Sequence, residues 1–359
     1  MNEDCLKLTI YFGERDRARG GFLADALLDL FERHSFQTSV LLRGAEGFGA
    51  KQRLQTQRLL TLSEDLPVVA VAVDSRERIE RTLLEVTELT GDGLVTLERA
   101  RMLSGRITAE RLPEELHEAT KLTVYCGRQE RANGRPAFLA VVDLLHRRGL
   151  AGATVLLGVD GTAHGERRRA RFFGRNADVP LMVISVGDGE RIAEVLPELG
   201  ELLARPLMTL ERVRVCKRDG RRLAGPGEIP SRDPGGRSVW QKLMVYTSEQ
   251  ARHGRHPLHV ELIRRLRSEG ASGATALRGF WGFHGDHAPH GDRLLSLRRH
   301  VPVTTVIVDT PERLARWFEI VDELTTHAGL VTSEVVPAFR AAGPGILEGG
   351  LRLAQRLEQ

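Results

Sequence analysis

Cysteine is scarce in this 359-residue chain: Cys5, Cys126 and Cys216 are scattered, and no CxxC pair occurs. Three such residues exclude a disulfide framework and a zinc ribbon, and they fit a reducing cytoplasm. Long apolar runs are missing too; the longest, such as Pro67 to Val73, have the length of a strand, so no membrane-spanning helix is expected. The N-terminus carries Asn2, Glu3 and Asp4 where a secretion signal would place a basic region and an apolar core. Nor is there a large excess of either charge, with 52 Lys and Arg against 48 Asp and Glu. Lysine itself is rare, at Lys7, Lys51, Lys121, Lys217 and Lys242, so arginine supplies nearly all the positive charge. That bias fits a GC-rich genome better than nucleic-acid binding, because the acidic residues nearly match it. G-x-S-x-G, H-E-x-x-H and the Walker A lysine motif are all absent, and no catalytic set emerges.

What the chain has is internal repetition. Lys7-Leu-Thr-Ile-Tyr11 returns as Lys121-Leu-Thr-Val-Tyr125 and as Lys242-Leu-Met-Val-Tyr246. From Gly13, Gly127 and Ser248 it is the same 31 residues to Gly44, Gly158 and Gly279, and Pro67, Pro180 and Pro302 follow after 23, 22 and 23 more. Each copy closes on a similar string, Leu94-Val-Thr-Leu-Glu98, Leu207-Met-Thr-Leu-Glu211 and Leu330-Val-Thr-Ser-Glu334. The repeat defines module 1 at 5–103, module 2 at 119–216 and module 3 at 240–340, with linkers at 104–118 and 217–239 and a tail at 341–359.

Periodicity within module 1 predicts a strand over 6–12, a helix over 22–34 and a strand over 38–43, followed by a long loop. A strand over 68–73, a helix over 76–89 and a strand over 94–102 complete it. This βαββαβ order is that of the ferredoxin-like α+β fold. Both helices of such a module cover one face of the sheet, yet Val68-Val-Ala-Val-Ala-Val73 and Leu181-Met-Val-Ile184 are apolar on both sides. The second face must also be buried. Three modules achieve this by turning their open faces inward as an intramolecular pseudo-trimer, with Tyr11, Tyr125 and Tyr246 facing the shared interior; the alternative is beads on a string, each copy pairing with another chain. The linker 217–239, rich in Gly, Pro and Arg, reads as an exposed flexible tether. The linker 104–118 and the tail carry short helical patterns near Leu112 to Leu116 and Leu347 to Leu357.

Two strings in module 1, Arg43-Gly-Ala-Glu-Gly-Phe-Gly49 and Leu62-Ser-Glu-Asp-Leu-Pro-Val-Val69, resemble the domain of unknown function 190 family of PII-like proteins. The resemblance implies a trimerising ferredoxin-like fold, a mobile loop between the second and third strands, and a small-ligand cleft between modules. It also implies a phosphate-holding glycine turn ahead of the last strand, where module 1 has Thr90-Gly91-Asp92-Gly93. Arg99 and Arg101 follow at a spacing of two, on one strand face, and can pair with phosphate. The candidate ligand-binding residues are therefore Arg43, Gly44, Glu46, Gly47, Phe48, Gly49, Gly91, Asp92, Gly93, Arg99 and Arg101. Modules 2 and 3 depart from both motifs, which directs the expectation to a cleft involving module 1.

Two further patterns compete with this one. His253, His256 and His259, and again His284, His287 and His290, recur at intervals of three, a spacing able to supply a metal with imidazoles if the loop gathers them. Arg278-Gly-Phe-Trp-Gly-Phe283 has the look of an RNA-stacking strand, but it ends the second strand, where such aromatics do not belong, so no nucleic-acid partner is expected. The expected protein is thus not an enzyme. It is a regulatory monomer that binds a small anionic ligand, an adenine nucleotide being the leading candidate, and signals through residues 44–65 to a partner such as a channel or transporter. A scaffold without a ligand is the alternative.

Overall fold

The structure is a computed structural model that describes residues 2–49, 54–56, 65–91, 93–107, 119–163, 166–167, 179–284, 289–291, 301–326 and 329–341. Module 1 runs strand Asn2–Gly13, helix Leu23–Arg33, strand Thr38–Arg43, strand Pro67–Ser75, helix Arg76–Thr90 and strand Leu94–Ser104. The third strand lies between the second and the first, and the last strand flanks the first on its other side, all antiparallel. Modules 2 and 3 repeat this order, giving an α+β protein with six helices among the described residues. Local chemistry sets the joints. Each second helix begins on a side-chain cap, Ser75, Asp188 or Thr310, that accepts a backbone N–H of the first turn. The first helices of modules 1 and 2 follow two-residue hairpins whose tips, Arg19-Gly20 and Asn133-Gly134, adopt the left-handed conformation that a type I′ turn requires.

Alternate residues of the third strand serve two cores, as their apolar character on both sides requires. Val68, Ala70 and Ala72 pack under the helices of module 1, whereas Val69, Val71 and Val73 enter a central cluster shared by all three modules. Leu181 and Val183 likewise face the helices of module 2, and Met182 and Ile184 the centre. Tyr125 and Tyr246 are members of the central cluster, and Tyr11 packs against it.

Two sets of strand exchanges join the modules. The segment read as a long loop after each second strand in fact opens with a short strand that pairs with a neighbouring module. Glu46–Phe48 pairs with the second strand of module 3, Asp160–Ala163 with that of module 1, and Trp281–His284 with that of module 2. The end of each last strand reaches the opposite way round: Arg101–Ser104 lies on Leu207–Leu210, Arg214–Arg218 on Leu330–Ser333, and Ala338–Ala341 on Leu94–Leu97. Each set visits every module once and returns to its start, the pattern by which a head-to-tail interface closes into a ring. Sheets of thirteen and eight strands, both spanning more than one repeat, result; they are consistent with a pseudo-trimer.

Exchange depends on close backbone approach. A Cβ on Gly161 would lie 2.2 Å from the carbonyl oxygen of Ser39, and one on Gly282 would lie 2.2 Å from that of Ala153. Gly282→Ala is therefore expected to force the exchanged strand off module 2 and to cost about 1–3 kcal/mol, read as a lowered urea midpoint.

The tether expectation for residues 217–239 is corrected. Lys217 is buried, bound to the side chain and carbonyl of Asp322, and the backbone N–H of Leu223 donates to Cys216. Further on, Gln241 donates to the carbonyl of Pro226. Lys217 and Arg218 pair with Arg222 and Arg221 in a hairpin turned at Asp219-Gly220, so this end of the linker is folded, while much of 219–238 is exposed as expected. The helical patterns near residues 112–116 and 347–357 lie outside the described residues. No helix among the described residues is long and apolar enough to cross a membrane.

Candidate functional site

Modules 2 and 3 enclose a cleft of about 660 Å³. Gly152 to Thr154, Ile184 and Val186 of module 2 form one wall, and Tyr246 to Ser248, Pro302, Gly329 and Leu330 of module 3 form the other. Both exchanges reach it: the arm of module 2 delivers Arg218 and Asp219, and the exchanged strand of module 3 delivers Gly282, Phe283 and His284. Asp219 and His284 meet at 2.8 Å across the two arms, with both side chains substantially exposed. Arg218 offers a different feature, since its Nε is buried and has no hydrogen-bond partner among the described residues. The cleft thus combines an apolar floor with a few polar groups, the composition and size of a small-molecule site.

The residues expected to bind ligand in module 1 are divided by the structure. Gly47 and Phe48 lie on the strand exchanged onto module 3, and Gly93 packs against the carbonyl of Tyr11. In repeat register they take, at the junction of modules 3 and 1, the places that Gly282, Phe283 and Gly329 take in the cleft. Gly44 N–H donates to the carbonyl of Pro67 at 2.7 Å, Arg43 pairs with Glu14 at 2.7 Å, and Glu46 is buried on the exchanged strand. Gly49 ends that segment and Gly91 closes the second helix with φ 42°; Asp92 lies outside the described residues. Arg99 and Arg101 do share a strand face, but they sit opposite Leu6 and Asp4, far along the strand. Six and eight residues at about 3.3 Å each put them roughly 20 and 26 Å from Gly93. The glycine turn and the two arginines therefore do not form one site. Of the histidines, His284 is engaged with Asp219, while His287 and the side chain of His290 lie outside the described residues. His253 and His256 face each other across a hairpin, and His259 stands apart, half-buried, its charge disfavoured by desolvation.

Where carboxylates do converge is at the meeting of the three modules. Lys7 and Glu98 are register partners on adjacent strands, as are Lys121 and Glu211, and Lys242 and Glu334. Each lysine also reaches the glutamate of another module, so six buried side chains form a closed alternating ring. Within modules the contacts are Lys7–Glu98 at 3.0 Å, Lys121–Glu211 at 3.0 Å and Lys242–Glu334 at 2.9 Å. Between modules they are Lys7–Glu211, Lys121–Glu334 at 2.5 Å and Lys242–Glu98 at 2.6 Å. Burial opposes charge on Glu98, Glu334 and the three lysines. On Glu98 and Glu334 the neighbouring lysines outweigh it and hold the carboxyls below their ordinary range. Burial is likewise overcome at Lys7, raised by Glu211 and Glu98, and at Lys242, raised by Glu334 and Glu98. Lys121 is the exception, lowered because burial outweighs its two carboxylates. Three positive and three negative groups leave the ring neutral as a whole. Sequence reasoning used these six residues as repeat markers and missed the ring.

Fold and site together define a class: a three-module α+β repeat protein, closed by strand exchange, with a cleft between modules. The chain belongs to the DUF190 family, described as "Uncharacterized ACR, COG1993", whose model matches residues 5–102, 119–215 and 240–338, three tandem copies. It is similar to two UPF0166 proteins of Aquifex aeolicus (strain VF5). One is 32% identical over 96 residues, which is 27% of this chain and 90% of the relative. The other is 32% identical over 80 residues, 22% of this chain and 82% of the relative. A match about one module long thus spans most of each relative.

Proposed function

We propose that this protein is a PII-like regulator: three ferredoxin-like modules folded as a trimer within one polypeptide, binding a small anionic ligand between modules 2 and 3. The observation that carries the reading is Arg218, whose buried Nε–H has no partner among the described residues at the polar margin of an otherwise apolar cleft. An unpaired buried donor is costly, and an anionic group satisfies it with a charge-assisted hydrogen bond. The apolar walls suit a planar or aromatic portion of the same molecule, which makes an adenine nucleotide the first ligand to test. Occupancy reaches a protein partner through the segments that continue from the exchanged strands, since Gly282 to His284 line the cleft directly. The repeat register extends the same role to residues 44–65 of module 1, of which 50–53 and 57–64 lie outside the described residues. A channel or transporter is the kind of partner proposed, with the regulator on its cytoplasmic side; the buried free thiols of Cys5, Cys126 and Cys216 suit a reducing compartment.

Titration calorimetry of the full chain with ATP, ADP, AMP and cyclic AMP tests the reading. Saturable binding of one of them is expected, weakened in Arg218→Ala by the loss of a charged hydrogen bond, about 1.5–3 kcal/mol or roughly 10- to 150-fold. Absence of binding across the panel favours a ligand-free scaffold instead.

A further inference from the structure

All six contacts of the charge ring run through one oxygen of each glutamate, Oε2. The other oxygen is left to the next inward-facing residue of the same strand, a threonine two positions earlier. In module 1 the pair closes directly, Thr96 Oγ1 donating to Glu98 Oε1 at 3.0 Å. In modules 2 and 3 it does not. Thr209 Oγ1 and Glu211 Oε1, and likewise Thr332 Oγ1 and Glu334 Oε1, have no hydrogen-bond partner among the described residues. Relative exposures of 0%, 3%, 0% and 5% put all four side chains out of reach of bulk solvent.

We propose that the pseudo-threefold axis holds two structural water molecules, one bridging Thr209 and Glu211 and one bridging Thr332 and Glu334. Residues two apart on one strand face are about 7 Å apart, a span that side chains cross directly in module 1 and that a single water crosses in the other two. The chemistry of the four atoms selects the guest. Each carboxylate oxygen needs a donor and each threonine hydroxyl can supply a hydrogen, so the bridging group must donate and accept at once, as water does. Charge points the same way. The neighbouring ring is already neutral: a cation would be added beside three ammonium groups, and an anion beside three carboxylates. In module 2 the hydroxyl of Tyr125 also lies beside Thr209 and offers that water a third partner.

A crystal structure of the full chain at atomic resolution, with thermal unfolding of Thr209→Val and Thr209→Ser, tests this. Expected are a peak of water scattering within hydrogen-bond distance of Thr209 Oγ1 and Glu211 Oε1 and another at Thr332 and Glu334, a lowered unfolding midpoint for Thr209→Val, and a near-parental one for Thr209→Ser. Valine keeps the shape but strands the water and the carboxylate oxygen. A direct Thr209–Glu211 bond, a metal in stoichiometric amount by elemental analysis, or a midpoint raised by Thr209→Val would each overturn the proposal; the last is the behaviour of a dry site relieved of an unpaired hydroxyl.

Discussion

Replacing Lys7 by methionine is expected to destabilise the whole protein by about 3–5 kcal/mol, and the loss will be visible in a part of the chain more than two hundred residues away. Lys7 bridges Glu98 of its own module and Glu211 of the next. Removing it leaves two buried carboxylates with one lysine each, Lys242 and Lys121. The cost arises from uncompensated charge in an interior that water does not reach, which is why loss of one partner is far more damaging than the net value of the pair. Trp240, Trp281 and Trp317, the only tryptophans, all belong to module 3. If the ring and the exchanged strands make one cooperative unit, tryptophan fluorescence in urea will report a lowered midpoint for a substitution in module 1. An unchanged fluorescence transition beside a weakened circular dichroism signal would mean that the modules unfold separately.

Acid is expected to unfold the protein through the same ring. Glu98 and Glu334 titrate lower in the folded chain than in the unfolded one, held down by the surrounding lysines. The stability they contribute is complete above the unfolded carboxyl value of about 4.3 and is lost as pH falls through their lower folded values. Lys7 and Lys242 are raised, so their contribution is complete below about 10.4 and disappears only as pH rises through the folded values. Lys121, lowered by burial, acts in the opposite sense at the alkaline end. The expected profile is a plateau through neutral pH with a steep acid limb. Replacing all three ring lysines by methionine and all three glutamates by leucine removes the charges as a set. That variant is expected to match the parent at pH 7 or exceed it by up to roughly 4 kcal/mol, with a shallower acid limb in a pH series of urea unfolding curves.

Much of this architecture can be read from local pattern. The alternation in Val68 to Val73 belongs to one strand with two buried faces, and both the strand and the burial follow from six consecutive residues. The tyrosines at one position of three first strands face inward for the same reason. Strand exchange is different. Glu46 to Phe48, Asp160 to Ala163 and Trp281 to His284 are short and glycine-bearing, and their pairing partners lie in other modules, so local periodicity reads them as loop. The ring illustrates the limit further. Its residues open and close the repeat strings, and three of the five lysines in an arginine-rich chain fall at one register, which was the available signal. Their pairing depends on which modules adjoin, and no single repeat contains that information. Arg218 is hidden from local pattern for a similar reason, since it reaches the cleft on an arm from the preceding module, whereas the glycine turn and Arg99 and Arg101 are close in sequence but lie along an extended strand.

Equilibrium unfolding of the unmodified chain, followed at once by tryptophan fluorescence and far-ultraviolet circular dichroism, tests the closed three-module unit most directly. Fluorescence reports the three tryptophans of module 3, of which Trp281 sits on the strand exchanged onto module 2 and Trp240 in the shared central cluster, and dichroism reports every helix and strand. One cooperative transition, superimposable between the two probes, is the predicted result. Separate midpoints, with modules 1 and 2 unfolding apart from module 3, would contradict it.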